Sequence, residues 1–213
     1  MEKLSSKPGI ILDNDGTLVD TDELILQSFE NNFRNLGVKF TREQISSVLG
    51  PSLETCYRTF VPGADILRLC ETHIDFQRDN PHLIKTYPGV LETLEELRKR
   101  GYPLAITTNW YGGFPASLRI TGIDQIVKTV ITCEDVANPK PHPEMIYKAS
   151  SLLGIDPQDA YMAGDSPTDI HAAKAAGVRK IIGVDHKYKK RKLLLATGAH
   201  QVIHNFQDLL GLI

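Results

Sequence analysis

The fold is decided by the stretch Gly9-Ile10-Ile11-Leu12-Asp13-Asn14-Asp15-Gly16-Thr17. Its apolar start shows no alternation of apolar and polar residues, which predicts a strand buried on both faces. Further short apolar runs lie at residues 104–108, 127–132, 160–163 and 180–184, with stretches of helical spacing between them. Strands that alternate with helices favour a parallel sheet, so we predict an α/β fold.

Helix boundaries carry their own signals in the second half of the chain. Pro88 and Gly101 bracket one periodic segment, and Pro143 and Gly154 bracket another. Proline suits the first helical turn and glycine the position after the last, so each pair predicts a helix. Ser166 is predicted to cap a third helix. We therefore expect a Rossmann-like parallel sheet with helices packed on it.

The residues that follow the first strand have a different pattern. Their apolar side chains recur at helical intervals, and no run typical of a buried strand is present. Thr41 and Gln44 form a capping-box signal for one of the helices. We therefore predict an all-helical domain of residues 20–85, inserted into a core domain of residues 1–19 and 86–213.

Composition and charge narrow the class of protein. With 213 residues, 41% of them hydrophobic and 23% charged, the chain is typical of a globular protein. A formal net charge of −2 supplies no overall field that would attract nucleic acid or an acidic membrane surface. The three cysteines fit neither a disulfide framework nor a zinc site, and no apolar run suits a signal peptide or membrane span. We therefore expect a cytoplasmic protein with no nucleic-acid or membrane partner.

Polar side chains collect where the predicted strands end. They are Asp13 and Asp15, Thr108 and Asn109, Asp165 and Asp169, with Lys140 in a proline-stiffened loop. Ligands of open parallel α/β sheets bind at the carboxyl ends of the strands, so these groups should converge. Converging carboxylates raise one another's pKa values unless a cation offsets their charge. Oxygen ligands without cysteine or histidine favour Mg²⁺ over zinc.

Four segments together resemble the motifs of the haloacid dehalogenase superfamily, in its branch of phosphatases with a helical cap. In chain order they are Asp13-Asn14-Asp15-Gly16-Thr17-Leu18-Val19-Asp20, Thr108-Asn109, Lys140-Pro141 and Gly164-Asp165-Ser166-Pro167-Thr168-Asp169. The resemblance extends over nearly the whole chain. Within the superfamily, the chain is most similar to the phosphoglycolate-phosphatase-like group. It implies that the inserted helical domain is a cap.

The resemblance implies hydrolysis of a phosphomonoester through an aspartyl-phosphate intermediate. Asp13 would attack phosphorus, while Asp15 would protonate the leaving alcohol and then take a proton from the attacking water. Thr108 and the backbone of Asn109 would hydrogen-bond the transferring phosphoryl group, and Lys140 would neutralise its charge. Dehalogenases of the superfamily lack the second aspartate, so Asp15 indicates phosphate chemistry.

The resemblance also implies a Mg²⁺ site. Its ligands would be the carboxylates of Asp13 and Asp165 and the main-chain oxygen of Asp15, with Asp169 supporting the water shell. Asp169 has a second interpretation, because an acid three residues after Ser166 completes a helix cap without touching metal. The two roles are compatible.

Two of these assignments have alternatives. Thr107 and Thr108 compete for one role, because neighbouring side chains of a strand point in opposite directions. Thr108 is chosen because Asn109 follows it, as in the family. Lys140 could instead be a surface lysine between two prolines.

Several segments depart from the family or are less specific. Trp110, beside the predicted phosphate site, could contact the leaving group or simply pack. Ser52 and Arg58 of the cap are candidate substrate contacts, although Arg58 could be an ordinary exposed residue. The basic run 187–192 is interpreted as a solvated face that leaves open a local anion-binding role.

The expected partner is a small phosphomonoester, with phosphoglycolate as the first candidate. A phosphosugar mutase on the same fold and a non-catalytic phosphate-binding or scaffold protein are the alternatives. A monomer or a homodimer is expected.

Overall fold

A computed structural model of the protein describes residues 7–48, 53–110, 116–187 and 189–213. These residues form two compact units. The first unit comprises Lys85–Ile213 together with the described residues up to Asp20. The second unit, called the helical unit below, is Thr21–Ile84.

The described elements, numbered in chain order, are short strands and helices. The strands are β1 (Gly9–Leu12), β2 (Val19–Asp20), β3 (Lys85–Thr86), β4 (Leu104–Thr108), β5 (Thr129–Thr132), β6 (Ala160–Gly164), β7 (Lys180–Val184) and β8 (Gln201–Ile203). The α-helices are α1 (Asp22–Asn35), α2 (Arg42–Val48), α3 (Leu53–Phe60), α4 (Ile66–Asp79), α5 (Val90–Lys99), α6 (Ala116–Ile120), α7 (Ile123–Ile126), α8 (Glu144–Leu153), α9 (Pro167–Ala176) and α10 (Arg191–Thr197). Short 3₁₀ helices cover Pro81–Leu83, Cys133–Asp135, Pro157–Asp159 and Phe206–Gly211. None of the helices found in these ranges has the length and apolar character needed to cross a bilayer.

Six of the strands form one parallel sheet in the order β5-β4-β1-β6-β7-β8. In this sheet Ile11 of β1 lies opposite Ala105 on one side and Met162 on the other. Every residue of β1 is buried, as its unbroken apolar run predicts. The predicted α/β fold with a parallel sheet is confirmed.

The strand order brings the ends of β1 and β6 together. After β1 the chain adds β4 and β5 on one side of it, and then β6, β7 and β8 on the other. A parallel sheet of this kind has its ligand crevice where the order reverses, outside the carboxyl ends of the two strands concerned. Asp13 follows β1 and Asp165 follows β6, so both residues lie at this crevice.

The sequence prediction missed three short strands. β8 has three residues and β2 and β3 have two each, which is too short to show a periodic signal. β2 and β3 pair in antiparallel fashion, with Val19 opposite Thr86 and Asp20 opposite Lys85. This ribbon lies where the chain leaves and re-enters the first unit.

The predicted helix boundaries are confirmed by the structure. α5 lies between Pro88 and Gly101, and α8 ends directly before Gly154. In the capping box of α2, the amide of Thr41 donates to Gln44 Oε1 over 2.7 Å and the amide of Gln44 donates to Thr41 Oγ1 over 3.2 Å. Local signals of this kind act within one turn, which is why sequence alone finds them.

Helices α8 and α9 pack on β1 and its neighbours. They contribute Met145, Ile146, Ala149, Ile170 and Ala173 to a buried apolar cluster. Apolar burial stabilises by roughly 25 cal/mol per Å², so this cluster is a main source of stability in the first unit. It also holds the carboxyl ends of β1 and β6 in a common position.

The helical unit has a separate core with a polar centre. Asn32 Nδ2 donates to Tyr57 Oη over 2.6 Å and to the main-chain oxygen of Leu69 over 2.8 Å, and Asn32 Oδ1 accepts from Thr72 Oγ1 over 2.8 Å. Tyr57 Oη is also 2.8 Å from His73 Nδ1. Burial lowers the pKa of His73 to about 3. The network therefore satisfies its buried polar groups while His73 stays neutral.

Candidate functional site

The turn after β1 holds the carboxylate of Asp13. The amide of Asp13 donates to Ala163 over 2.9 Å, which extends the parallel ladder beyond the strand. The main-chain oxygen of Asn14 then accepts from the amides of Thr17 and Leu18, over 3.3 and 2.8 Å. Thr17 Oγ1 donates to Asp13 Oδ2 over 3.0 Å. The local turn therefore fixes one oxygen of the Asp13 carboxylate.

Gly16 is required by the same turn for two reasons. Its φ of +82° lies in the left-handed region that favours glycine. A Cβ atom at this position would also lie 2.4 Å from Asp165 Oδ2. The absent side chain thus lets the turn after β1 approach the carboxylate that follows β6.

Lys140 is a buried cation at the centre of the site. Its Nζ is 2.7 Å from Asp13 Oδ1, 2.6 Å from Asp169 Oδ1 and 2.8 Å from the main-chain oxygen of Thr107. Only 2% of its side-chain surface is exposed, so the alternative of a surface lysine is wrong. A charge this deeply buried persists because it is paired and hydrogen-bonded.

Asp169 joins a helix cap to this ion pair. Ser166 Oγ and the amide of Ser166 donate to Asp169 Oδ2, over 2.6 and 3.0 Å, and the amide of Asp169 donates weakly to Ser166 Oγ over 3.4 Å. The capping-box interpretation is therefore confirmed. The other oxygen, Oδ1, faces Lys140, so the carboxylate is shared between the helix terminus and the site.

The charges of the site shift its pKa values. Burial, followed by the charge of Asp169, raises the pKa of Asp13 well above its ordinary value, although Lys140 acts in the opposite direction. Burial likewise raises the pKa of Asp165 to about 6, against the lowering effect of Lys190. Burial would lower the pKa of Lys140, but Asp13 and Asp169 outweigh it and raise the pKa. The cluster therefore holds more negative charge than Lys140 alone offsets.

Three carboxylates of the site can hold a divalent metal ion. One oxygen from each of Asp13, Asp165 and Asp169 lies within 4.8 Å of the other two. Lys140 contacts Asp13 and Asp169 but has no described contact with Asp165. A hard cation fits this donor set, because all ligands are oxygens and their mutual repulsion calls for additional positive charge.

Asp15 forms hydrogen bonds with polar side chains near the three carboxylates. Its Oδ2 accepts from Thr108 Oγ1 over 3.0 Å, and Thr108 Oγ1 accepts from the amide of Trp110 over 3.0 Å. Asn14 Nδ2 is 3.2 Å from both Asp15 Oδ2 and Ser117 Oγ. Sequence reasoning missed the contact of Asn14 with Ser117, since nothing in the sequence marks two positions so far apart as neighbours.

The two competing threonines have different surroundings. Thr108 donates to Asp15, whereas Thr107 offers its main-chain oxygen to Lys140. Thr107 Oγ1 is buried and has no hydrogen-bond partner among the residues that the structure describes. Asn109 is exposed and donates from Nδ2 to the main-chain oxygen of Lys140 over 2.8 Å. The β4 end thus contributes groups to both Asp15 and the Lys140 loop.

The predicted substrate contacts are less closely tied to this group. The main-chain oxygen of Trp110 accepts a hydrogen bond from Cys133 Sγ over 2.9 Å, and the Trp110 side chain is half-buried. Arg58 is exposed and lies 3.7 Å from Glu54, as expected for an ordinary surface ion pair. Ser52 lies outside the described residues.

A second lysine near the site was not predicted individually. Lys190 Nζ lies 2.5 Å from Asp165 Oδ2. The residue belongs to the basic run 187–192, which the sequence marks only by its charge. A run of like charges does not show which of its members turns toward a distant carboxylate.

Comparison with known proteins places this geometry in context. The chain matches the family model of haloacid dehalogenase-like hydrolases over residues 10–183. It is 38% identical over 208 residues to the pyrophosphatase PpaX of Bacillus velezensis, with 94% of each chain covered.

Solved structures share the fold along nearly the whole chain. A protein from Haemophilus somnus described as a predicted phosphoglycolate phosphatase superposes with a TM-score of 0.87 at 23% identity, over 98% of this chain and 99% of that one. A HAD family hydrolase from Deinococcus radiodurans, solved with bound phosphate and sodium, has a TM-score of 0.79 at 26% identity, over 95% and 93% of the two chains. At 23% identity, the similarity to the Haemophilus somnus protein shows only that the two chains share a fold.

Proposed function

The chain belongs to the haloacid dehalogenase-like hydrolases, and from that premise we propose that it hydrolyses a small phosphomonoester with Asp13 as nucleophile and Mg²⁺ as cofactor. The predicted family and the broad class of phosphatase are confirmed by the match to the family model and by the similarity to the PpaX pyrophosphatase. The proposal concerns the identity of the substrate, the identity of the metal ion and the roles of the individual residues. The observation that supports them most directly is the buried contact of Lys140 with Asp13.

The contact with Lys140 favours Asp13 as the nucleophile. The ammonium group lies 2.7 Å from Oδ1 and lowers the pKa of Asp13, which opposes the effect of burial and favours the ionised, attacking form. Thr17 holds Oδ2 of the same carboxylate. In the first step a bond forms between an Asp13 oxygen and phosphorus while the bond from phosphorus to the leaving oxygen breaks.

Asp15 is assigned to proton transfer. In the first step it gives its proton to the leaving oxygen. In the second step water attacks phosphorus of the aspartyl-phosphate, its proton passes to Asp15, and the bond from phosphorus to Asp13 breaks. Thr108, which donates to Asp15 Oδ2 in the structure, limits the orientations that this carboxylate adopts.

The remaining residues stabilise charge. Thr108, with its hydroxyl turned from Asp15 to the substrate, and the backbone of Asn109 would hydrogen-bond the transferring phosphoryl group, and Lys140 would neutralise its charge. The carboxylates of Asp13 and Asp165 and the main-chain oxygen of Asp15 would hold Mg²⁺, with Asp169 supporting its water shell. The ion would supply positive charge that offsets these carboxylates and the phosphoryl oxygens.

The helical unit is proposed to act as the cap that selects the leaving group. The candidate substrate contacts are Ser52 of the cap and Trp110 of the first unit. Phosphoglycolate remains the first substrate in this proposal. Pyrophosphate is the second candidate, because the relative from Bacillus velezensis described above is named a pyrophosphatase. A phosphosugar mutase would differ by returning the phosphoryl group to the sugar, so it would release little inorganic phosphate.

A panel of substrates tests this proposal. Release of inorganic phosphate is measured from phosphoglycolate, pyrophosphate, sugar phosphates and p-nitrophenyl phosphate, with Mg²⁺ and with a chelator. We expect Mg²⁺-dependent release that Asp13→Asn abolishes and that Asp156→Asn, the same change at an exposed site of the first unit, leaves intact. Undiminished release by Asp13→Asn would refute the nucleophile, and no release from any compound would favour the scaffold alternative.

A further inference from the structure

Two lysines of the basic run 187–192 form ion pairs with acidic side chains. Lys187 Nζ lies 3.1 Å from Asp20 Oδ1, and Lys190 Nζ lies 2.5 Å from Asp165 Oδ2. These two cations are each paired with a particular acid of the first unit. The pairing of Lys190 is the more consequential, because Asp165 belongs to the carboxylate cluster described above.

The main chain that carries Lys190 is held by a buried acid. Asp185 follows β7 and is only 3% exposed. Its Oδ1 accepts from the amide of Lys189, and its Oδ2 accepts from the amides of Lys190 and Arg191, each over 2.9 Å. Three hydrogen bonds to one carboxylate hold the backbone on both sides of Lys190. The lysine therefore extends toward Asp165 from an anchored position.

Two lysines divide the three carboxylates between them. Lys140 pairs with Asp13 and Asp169, and Lys190 pairs with Asp165. Their surroundings differ, because the Lys140 side chain is 2% exposed while that of Lys190 is 46% exposed. An ammonium group that already faces water loses little when it leaves a carboxylate, whereas a buried one loses counter-charges that water does not replace. Lys190 is thus the replaceable cation of the pair.

We propose that Lys190 competes with the divalent metal ion for Asp165. Its ammonium group holds this carboxylate in the metal-free protein and moves away from it when the ion binds. Lys190 is then a positioning residue that keeps Asp165 oriented toward the site and weakens metal affinity. The inference rests on the proposed metal site, and on the contact of Lys190 rather than on the overall charge of the run.

Calorimetric titration with Mg²⁺, in a phosphate-free buffer at constant ionic strength, measures this competition without turnover. The variants are Lys190→Met and, as matched controls, Lys189→Met and Lys192→Met. The controls remove the same charge from the same segment, and neither lysine has an ion pair within the described ranges. We expect Lys190→Met to bind Mg²⁺ about fivefold more tightly than either control, the change that loss of a half-exposed ion pair allows.

Two further variants separate the possible outcomes. Lys190→Arg keeps the charge and should bind Mg²⁺ no more tightly than the unchanged protein, while Asp165→Asn should lose binding. Affinity of Lys190→Met equal to or below that of Lys189→Met would overturn the competition but leave the metal site in place. Absence of Mg²⁺ binding by the unchanged protein would overturn both. Circular dichroism checks that each variant is folded.

Discussion

Lys140 Nζ lies 2.6 Å from Asp169 Oδ1, while the other oxygen of the same carboxylate caps the first turn of α9. A helix terminus is therefore connected directly to the cation that contacts Asp13. Because both side chains are almost completely buried, water cannot replace either partner. The Asp169 carboxylate therefore contributes both to the start of α9 and to the charge of the site.

Replacement of this cation should affect both stability and activity. In Lys140→Met the carboxylates of Asp13 and Asp169 lose their shared counter-charge, and removal of one partner of a buried ion pair costs about 3–5 kcal/mol. We expect that decrease in the free energy of unfolding, measured by urea denaturation followed by circular dichroism. Phosphate release should fall by about a hundredfold or more, because charge stabilisation is lost.

Lys128→Met is the control for that variant. Lys128 is exposed and donates to the main-chain oxygen of Asp124, outside the site. Its removal should change stability by no more than about 0.5 kcal/mol. If Lys140→Met were as stable as this control, the proposed dependence of the carboxylate cluster on Lys140 would be wrong.

Because Gly16 lies close to Asp165, we expect an alanine at this position to destabilise the protein more than backbone strain alone would. Gly16→Ala would place a Cβ atom 2.4 Å from Asp165 Oδ2, in addition to the strain of a φ of +82°. Gly101→Ala has nearly the same φ, +78°, but its Cβ would meet nothing within 4 Å. We expect Gly101→Ala to cost about 1–2 kcal/mol and Gly16→Ala about 1–3 kcal/mol more, with a loss of activity confined to Gly16→Ala.

Urea denaturation and phosphate-release assays of the two glycine variants provide the comparison. Both residues belong to the first unit, so the same unfolding transition is measured. Equal destabilisation of the two variants would mean that Asp165 moves aside without loss of free energy. Full activity of Gly16→Ala would contradict the requirement for a close approach.

His73 should make the helical unit sensitive to acid. Its pKa is lowered to about 3 by burial, whereas an exposed histidine titrates near 6.5. Between these values the unfolded chain binds the extra proton, so stability is complete above about pH 6.5 and declines as the pH falls toward 3. The slope for one such group is about 1.4 kcal/mol per pH unit.

Urea denaturation at several pH values between 7.5 and 5 measures this slope. His73→Gln removes the titrating group, so its stability should depend less on pH than that of the unchanged protein, even though it is lower at pH 7.5. His82→Gln, a change at an exposed histidine of the same unit, should keep the original slope. An unaltered slope in His73→Gln would show that another group causes the acid sensitivity.

Much of the fold follows from signals that act between neighbours in sequence. The buried run before Asp13 predicts a central strand, and Ser166 with Asp169 predicts the start of α9. Each signal concerns a backbone conformation that residues within one turn or strand decide among themselves. Strands of two or three residues, such as β2 and β8, are missed because they are held by partners rather than by their own pattern.

The sequence by itself determined the α/β class, the helix boundaries and the motifs that mark Asp13, Lys140 and Asp165. Only the tertiary structure decided that Lys140 is buried between two carboxylates and that Lys190, rather than Lys189, contacts Asp165. The reason is physical. Hydrophobic and turn patterns specify backbone conformation over a few residues, whereas an ion pair between distant positions depends on where packed strands and loops bring two side chains.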